Sequence, residues 1–201
     1  MRITTHEQLR ALYAQPTERA RRKQLDVLDA HCKAFIALSP FVVLATSDGA
    51  GRVDATPRGG AAGFVVVQDE RTLLLGDAPG NNRLDALQNL IENPQAGLLF
   101  MIPGVDETLR VNGQVELSTD PADLAVCSDA RRTPKLVLRI TVQEAFLHCA
   151  KAFMRSRLWH ADAQIERDRL PTMNQMIHAQ LGLDTPPEPQ ADMLQRYQQD
   201  L

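Results

Sequence analysis

The residues best suited to chemistry lie in the stretch "GDAPGNNRLDALQNLIENPQAGLLF", Gly76 to Phe100. Directly after the apolar run Leu73, Leu74 and Leu75, the chain places Asn81, Asn82 and Arg83 at the mouth of a helical pattern. A helix N-terminus presents unpaired N–H groups and the positive end of the helix dipole. With an arginine beside it, that is an anion-binding arrangement. The same residue types also suit a plain turn and N-cap, and the local sequence leaves both readings open.

Three further segments carry polar or charged groups where strands end. In "DATPRGG", Thr56 and Pro57 end a β-rich run, with Arg58, Gly59 and Gly60 following. Proline removes a ladder donor and is expected to turn the strand outward, while the glycines permit close backbone approach. "ETLRVNG" contains Thr108 and Arg110 in front of a glycine that suggests a bulge. "HCAKAFMRSRLW" follows the last long strand and contains His148, Lys151, Arg155 and the single tryptophan, Trp159.

The elements that must position these residues are read from periodicity. Thr5 to Leu38 is expected to be helical, interrupted at Pro16, with Thr17 as an N-cap and a second stripe of Ala20, Leu25, Leu28, Cys32, Phe35 and Ile36. Phe41 to Ser47 and Arg52 to Thr56 read as a hairpin about the turn Asp48 to Gly51. A second hairpin turns near Asp69, Glu70 and Arg71. A helix from about Asn82 to Glu92 stops before Asn93 and Pro94. Strands follow in "AGLLFMIPG", "TLRVNGQVELS" and "KLVLRITVQEAFLHC", with a short helix opened by Asp120 and Pro121. From Ala150 the pattern is irregular, then helical in "MNQMIHAQLGL", and the last residues are a short helix or a tail. Hairpin-linked strands with few intervening helices argue for a small closed antiparallel barrel with flanking helices, not a parallel doubly wound sheet.

Composition narrows the class. The chain has 201 residues, 44% of them apolar, and a net charge of −3. It is long enough for a substantial core, and it lacks the basic footprint of a nucleic-acid binder. Its apolar runs are too short to cross a bilayer, and the N-terminal sequence has no apolar signal region, so a cytoplasmic protein is expected. Cys32, Cys127 and Cys149 form no CxxC pair, and each is expected to be a small buried thiol. The five histidines are dispersed, so no metal site is expected, and no GxSxG, HExxH, Walker or GxGxxG motif is present.

Taken in order, "FVVLATSDGAGRVDATPRGG", "LLLGDAPGNNRLDALQNLIENPQAGLLF" and "ETLRVNGQVELSTD" resemble the FMN-binding split barrel of the pyridoxamine 5'-phosphate oxidase family, an antiparallel Greek-key fold. "HCAKAFMRSRLW" resembles a branch of uncharacterised FMN-dependent enzymes within it. The resemblance spans about Phe41 to Trp159. It divides the chain into a helical segment 1–40, a barrel 41–159 and a helical segment and tail 160–201.

The resemblance implies a homodimer with FMN at the interface, acting as an oxidoreductase on a small molecule. Asn81, Asn82 and Arg83 would take the phosphate. Relatives carry a second basic residue where this chain has Leu84, so Arg58 is the expected replacement. Thr56, Pro57 and Gly59 would lie along the ring, with Thr108 and Arg110 near it. Lys151 would sit by N1 and O2, Arg155 nearby, and Trp159 would wall the substrate side. A flavin-storage or electron-transfer protein and a haem-handling barrel are the competing readings.

Overall fold

The computed structural model describes residues 2–199. They fall into two compact units, one running up to Arg155 and one from Ser156 onward. The first unit holds a seven-stranded antiparallel sheet in the order β2-β1-β5-β6-β7-β4-β3. The strands are β1 (Phe41–Ser47), β2 (Val53–Gly59), β3 (Val65–Val67), β4 (Thr72–Gly76), β5 (Gln95–Met101), β6 (Thr108–Ser118) and β7 (Val137–His148). Its helices are α1 (His6–Arg10), α2 (Glu18–Arg22), α3 (Ala30–Leu38), α4 (Asp85–Glu92), α5 (Pro121–Val126) and α6 (Lys151–Ser156). The second unit contains α7 (Met173–Leu181), opened by a Thr172–Gln175 capping box, and α8 (Gln190–Tyr197). No helix among the described residues is long and apolar enough to cross a membrane.

The expected antiparallel architecture is present, with β2 and β3 as the sheet's two edges, so the barrel is split. The core forms where alternate residues of neighbouring strands face inward. Leu44, Leu98, Val111 and Ala145 stand side by side across four strands and are fully buried. Ile36 of α3 and Leu87 and Leu90 of α4 join the same cluster.

Four expectations are corrected. The N-terminal stripe is not one helix, because residues 23–29 run between α2 and α3. Within them Leu25 exchanges two backbone hydrogen bonds with Ala145 (2.9 and 2.8 Å), and Leu28 N–H donates to Glu70 O. Asp29 then caps α3 by accepting from Cys32 N–H. Second, β2 does not stop at Thr56 but runs through Pro57 to Gly59, which an edge strand tolerates because the missing N–H would face away from β1. Third, α6 forms where irregular chain was expected. The helix expected from Asn82 begins later, at Asp85.

The glycine of "VNG" is explained by packing. Gln143 is an extra residue in β7, so Asn112 pairs Glu144 while Gly113 pairs Val142. A Cβ on Gly113 would lie 2.3 Å from Thr141 O. Gly113→Ala should therefore lower stability by about 1–3 kcal/mol or more, whereas Gly80→Ala, with nothing within 4 Å, should stay within about 0.5 kcal/mol. Urea midpoints for the two variants test the contrast.

Candidate functional site

The chain entering α4 has an unusual backbone. Asn82 (φ 58°) and Leu84 (φ 61°) are both left-handed, on either side of Arg83. A left-handed leucine is strained, and such strain persists only where surrounding structure holds it. Leu84 occupies the N-cap position and supplies no side-chain cap, so the first-turn N–H groups of α4 remain available to an outside acceptor. Arg83 is mostly exposed. Its backbone N–H donates to Asn81 Oδ1 (3.0 Å) and its Nε to Asp85 Oδ2 (2.8 Å). The Asp85 pairing spends Nε and holds the guanidinium beside the helix mouth.

Helix α4 is fastened to the β1–β2 hairpin by side chains. The buried Asn89 Nδ2 donates to Thr46 Oγ1 (3.1 Å) and to Asp54 Oδ2 (2.8 Å). Glu92 Oε2 accepts from Gly49 N–H, and Asn93 Nδ2 donates to Ser47 Oγ. Leaving a buried donor such as Asn89 unpaired costs about 1–3 kcal/mol, so these contacts fix the helix mouth relative to β2.

Strand register sorts the candidate residues onto two faces. Thr56 and Arg58 pair with the buried Leu44 and Val42, so they continue the core-side face of β2, where α4 packs. Arg58 Nη1 donates to Thr56 Oγ1 (2.7 Å) and to Pro57 O (3.1 Å), so the guanidinium folds back along its own strand. Its charge reaches Asp77, whose carboxyl is pushed up by burial and pulled back by Arg58, Arg132 and Lys135. Asp54, further along the same face, acts electrostatically on Arg83. Each phosphate candidate thus has its own acidic neighbours, Asp77 for Arg58 and Asp85 and Asp54 for Arg83.

The opposite, outward face carries the other group. Pro57, Val43, Leu99, Arg110 and Phe146 stand side by side across five strands. Gly59 is opposite Phe41 and Thr108 opposite His148 at the same end of the sheet. Three inter-strand spacings, about 14 Å, separate β2 from β6. Thr108 is buried. Arg110 pairs through Nη2 with Glu144, while its buried Nε has no acceptor. Gly60 lacks a Cβ for a local reason, because one would lie 2.8 Å from Phe64 Cβ.

Beyond β7, Lys151 opens α6 and Arg155 lies in its last turn, both exposed. Trp159 is half-buried and lies in the second unit. The expectation of three buried thiols fails for Cys149, which is exposed. Sequence reading overlooked two groups here: Asn89, which looked like an ordinary helix residue, and Lys23, whose position depends on the chain crossing β7. No cluster of three metal-ligating side chains exists among the described residues.

The family model of pyridoxamine 5'-phosphate oxidase matches residues 28–149. No curated protein matches the chain in sequence. Among solved structures, a histidine-to-alanine variant of HupZ from Group A Streptococcus is 18% identical with a TM-score of 0.51, covering 60% of this chain and 99% of that one. A Lactobacillus delbrueckii protein provisionally assigned as a pyridoxamine 5'-phosphate oxidase is 20% identical (TM-score 0.49, 62% and 98% covered). An FMN-binding protein of Syntrophomonas wolfei is 12% identical (TM-score 0.46, 58% and 83% covered). The HupZ overlap shows a shared fold.

The thiols differ chemically. Cys149 is held below the ordinary thiol value by the Lys151 backbone N–H and the Lys151 charge. Burial, with Asp29 beside it, pushes Cys32 up to about 11. Iodoacetamide at neutral pH should alkylate Cys149 first and Cys32 only after unfolding, because the thiolate is the nucleophile. Peptide mass spectrometry over time reads the order, and Cys32 reacting first would contradict it.

Proposed function

Because the chain belongs to the pyridoxamine 5'-phosphate oxidase family, we propose that it binds FMN and works as a flavin-dependent oxidoreductase on a small molecule, as a homodimer. The observation that carries this reading is the uncapped mouth of α4, with Arg83 held between two left-handed residues. The donor set suits a dianionic phosphate: open N–H groups, the helix dipole, Arg83, and Arg58 supplying the cation that Leu84 does not. Asp85 holds the Arg83 guanidinium at the helix mouth, and Thr56 and Pro57 O hold that of Arg58 on β2.

The outward face suits a flat ring and a second subunit. Phe41, Val43, Leu99 and Met101 are half-buried there, forming an apolar surface on β1 and β5 that a partner copy would cover. Pro57 and Gly59 present this edge without long side chains. In this reading Asn81 and Asn82 shape the phosphate loop, Thr108 and Arg110 border the ring, and Lys151 and Arg155 reach toward it from the end of β7. Bound FMN supplies the redox centre, and the chain's own residues bind it, exclude water and set the charge around it.

Arg83→Ala should weaken FMN about tenfold or more, since a charged hydrogen bond contributes roughly 1.5–3 kcal/mol. Riboflavin, lacking the phosphate, should be nearly indifferent, and equal losses for both ligands would remove Arg83 from the phosphate site. Lys151→Met should lower the flavin midpoint potential by about 30 mV, a two-electron shift worth about 1.4 kcal/mol, while leaving FMN bound. An unchanged potential in the fully flavinated variant would place Lys151 away from the ring.

A further inference from the structure

We propose that Lys23, Arg110 and His148, arranged around the Phe146 ring, form a subsite for an oxyanion, the carboxylate or phosphate of a small-molecule ligand. Lys23 Nζ sits 4.1 Å from the Phe146 centroid and Arg110 Cζ 5.1 Å from it. The His148 ring meets Phe146 edge-on at 4.9 Å. Glu144 is the carboxylate paired with this group, through Arg110. Two fixed cations against one carboxylate leave one positive charge in excess, before His148 is counted. Lys23 is exposed, and Arg110, Phe146 and His148 are half-exposed, so a solute can reach them.

The donors are preorganised and incompletely used. Lys23 spends one N–H on Leu147 O (2.8 Å), leaving two of its three. Its position is set by the backbone, because Leu25, two residues on, is bonded to Ala145 at both its N–H and its C=O. The Phe146 ring floors the site and attracts both cations. Lys23 lies outside the residues matched by the family model, 28–149, so this cation is supplied by the chain's own N-terminal segment.

His148 adds a proton-dependent donor. The groups facing it are Arg110 from β6, Lys23 from the segment before α3, and Glu144 and Phe146 from its own strand. Burial, then Arg110 and Lys23, hold its pKa below the ordinary value, against the opposing effect of Glu144. An arriving anion reverses the two cationic effects, so binding raises the His148 pKa. By linkage the anion binds more tightly as pH falls through that titration.

Placing the anion beside the flavin, on the substrate, rests on the proposed function: Thr108, opposite His148, is the ring-side residue of that reading. Anion binding itself does not need the flavin. The test follows the His148 imidazole resonances of the full-length protein by NMR, with and without added FMN, during titration with sodium sulfate and separately with sodium benzoate. Both probes keep their charge between about pH 5 and 8, where an ordinary histidine titrates.

Saturable shifts, an upward His148 pKa and tighter binding at lower pH are expected. The tighter of the two probes identifies a tetrahedral or a planar oxyanion as the preferred group. Lys23→Met should weaken binding about threefold to tenfold, and Lys23→Arg should restore it. His148 resonances that neither anion moves saturably, or equal affinities in wild type and Lys23→Met, overturn the proposal. Shifts that follow protein concentration instead of anion would assign the cluster to a second copy's acidic group and also overturn it. Failure of FMN to bind would remove the flavin reading while leaving the sulfate and benzoate result intact.

Discussion

One extra residue in β7, Gln143, sets the geometry on which the rest of the first unit depends. The bulge is possible only because Gly113 brings no Cβ against Thr141 O. On one side of it, β7 pairs with β4 from Val137 to Thr141, and Val142 N–H donates to Arg71 O. Past the bulge that edge of β7 has lost β4, and buried backbone groups there need other partners. Leu25 takes both groups of Ala145, which brings Lys23 over Phe146. Past this local irregularity the N-terminal segment pairs with the freed edge of β7, and Lys23 meets Arg110 and His148 around Phe146.

The second constraint is the attachment of α4. Its position is set by Asn89, Glu92 and Asn93, polar groups that fasten it to the β1–β2 hairpin, and by Ala86, Leu87 and Leu90, which join the core. Helix propensity would not create the strained entry at Asn82 to Leu84. With the helix end held, the linking loop must turn sharply, and two left-handed residues accomplish it. The same turn leaves the helix mouth uncapped and Arg83 beside it. Packing energy from the core therefore maintains a polar corner that would not organise by itself.

Much of the fold was legible because periodicity is a local property. The β1 range, the Asp69–Arg71 turn, the Asp120–Pro121 helix start and the "MNQMIHAQLGL" helix all follow from adjacent residues. The misread elements depend on surroundings that local preference does not record. Leu25 fits a helical stripe but bonds to Ala145, and Pro57 suggests a strand end but lies on a free edge. Cys149 was expected to be buried because cysteine usually is, yet it falls at the exposed start of α6.

The antiparallel class, the family and the residue types available for an anion and a ring can be read from the amino-acid order alone, because alternation, turn chemistry and motif order are encoded in near neighbours. Which of those residues share a face or a cluster depends on the folded chain. Register placed Thr56 and Arg58 on the α4 side and Pro57 and Arg110 on the other, a separation that adjacent residues in a strand always undergo. The fold also assembled Lys23, Arg110, Phe146 and His148 from three segments, with Lys23 more than eighty residues ahead of the others in the chain. Such a grouping depends on hydrogen bonds between strands distant in sequence, and no local pattern records them.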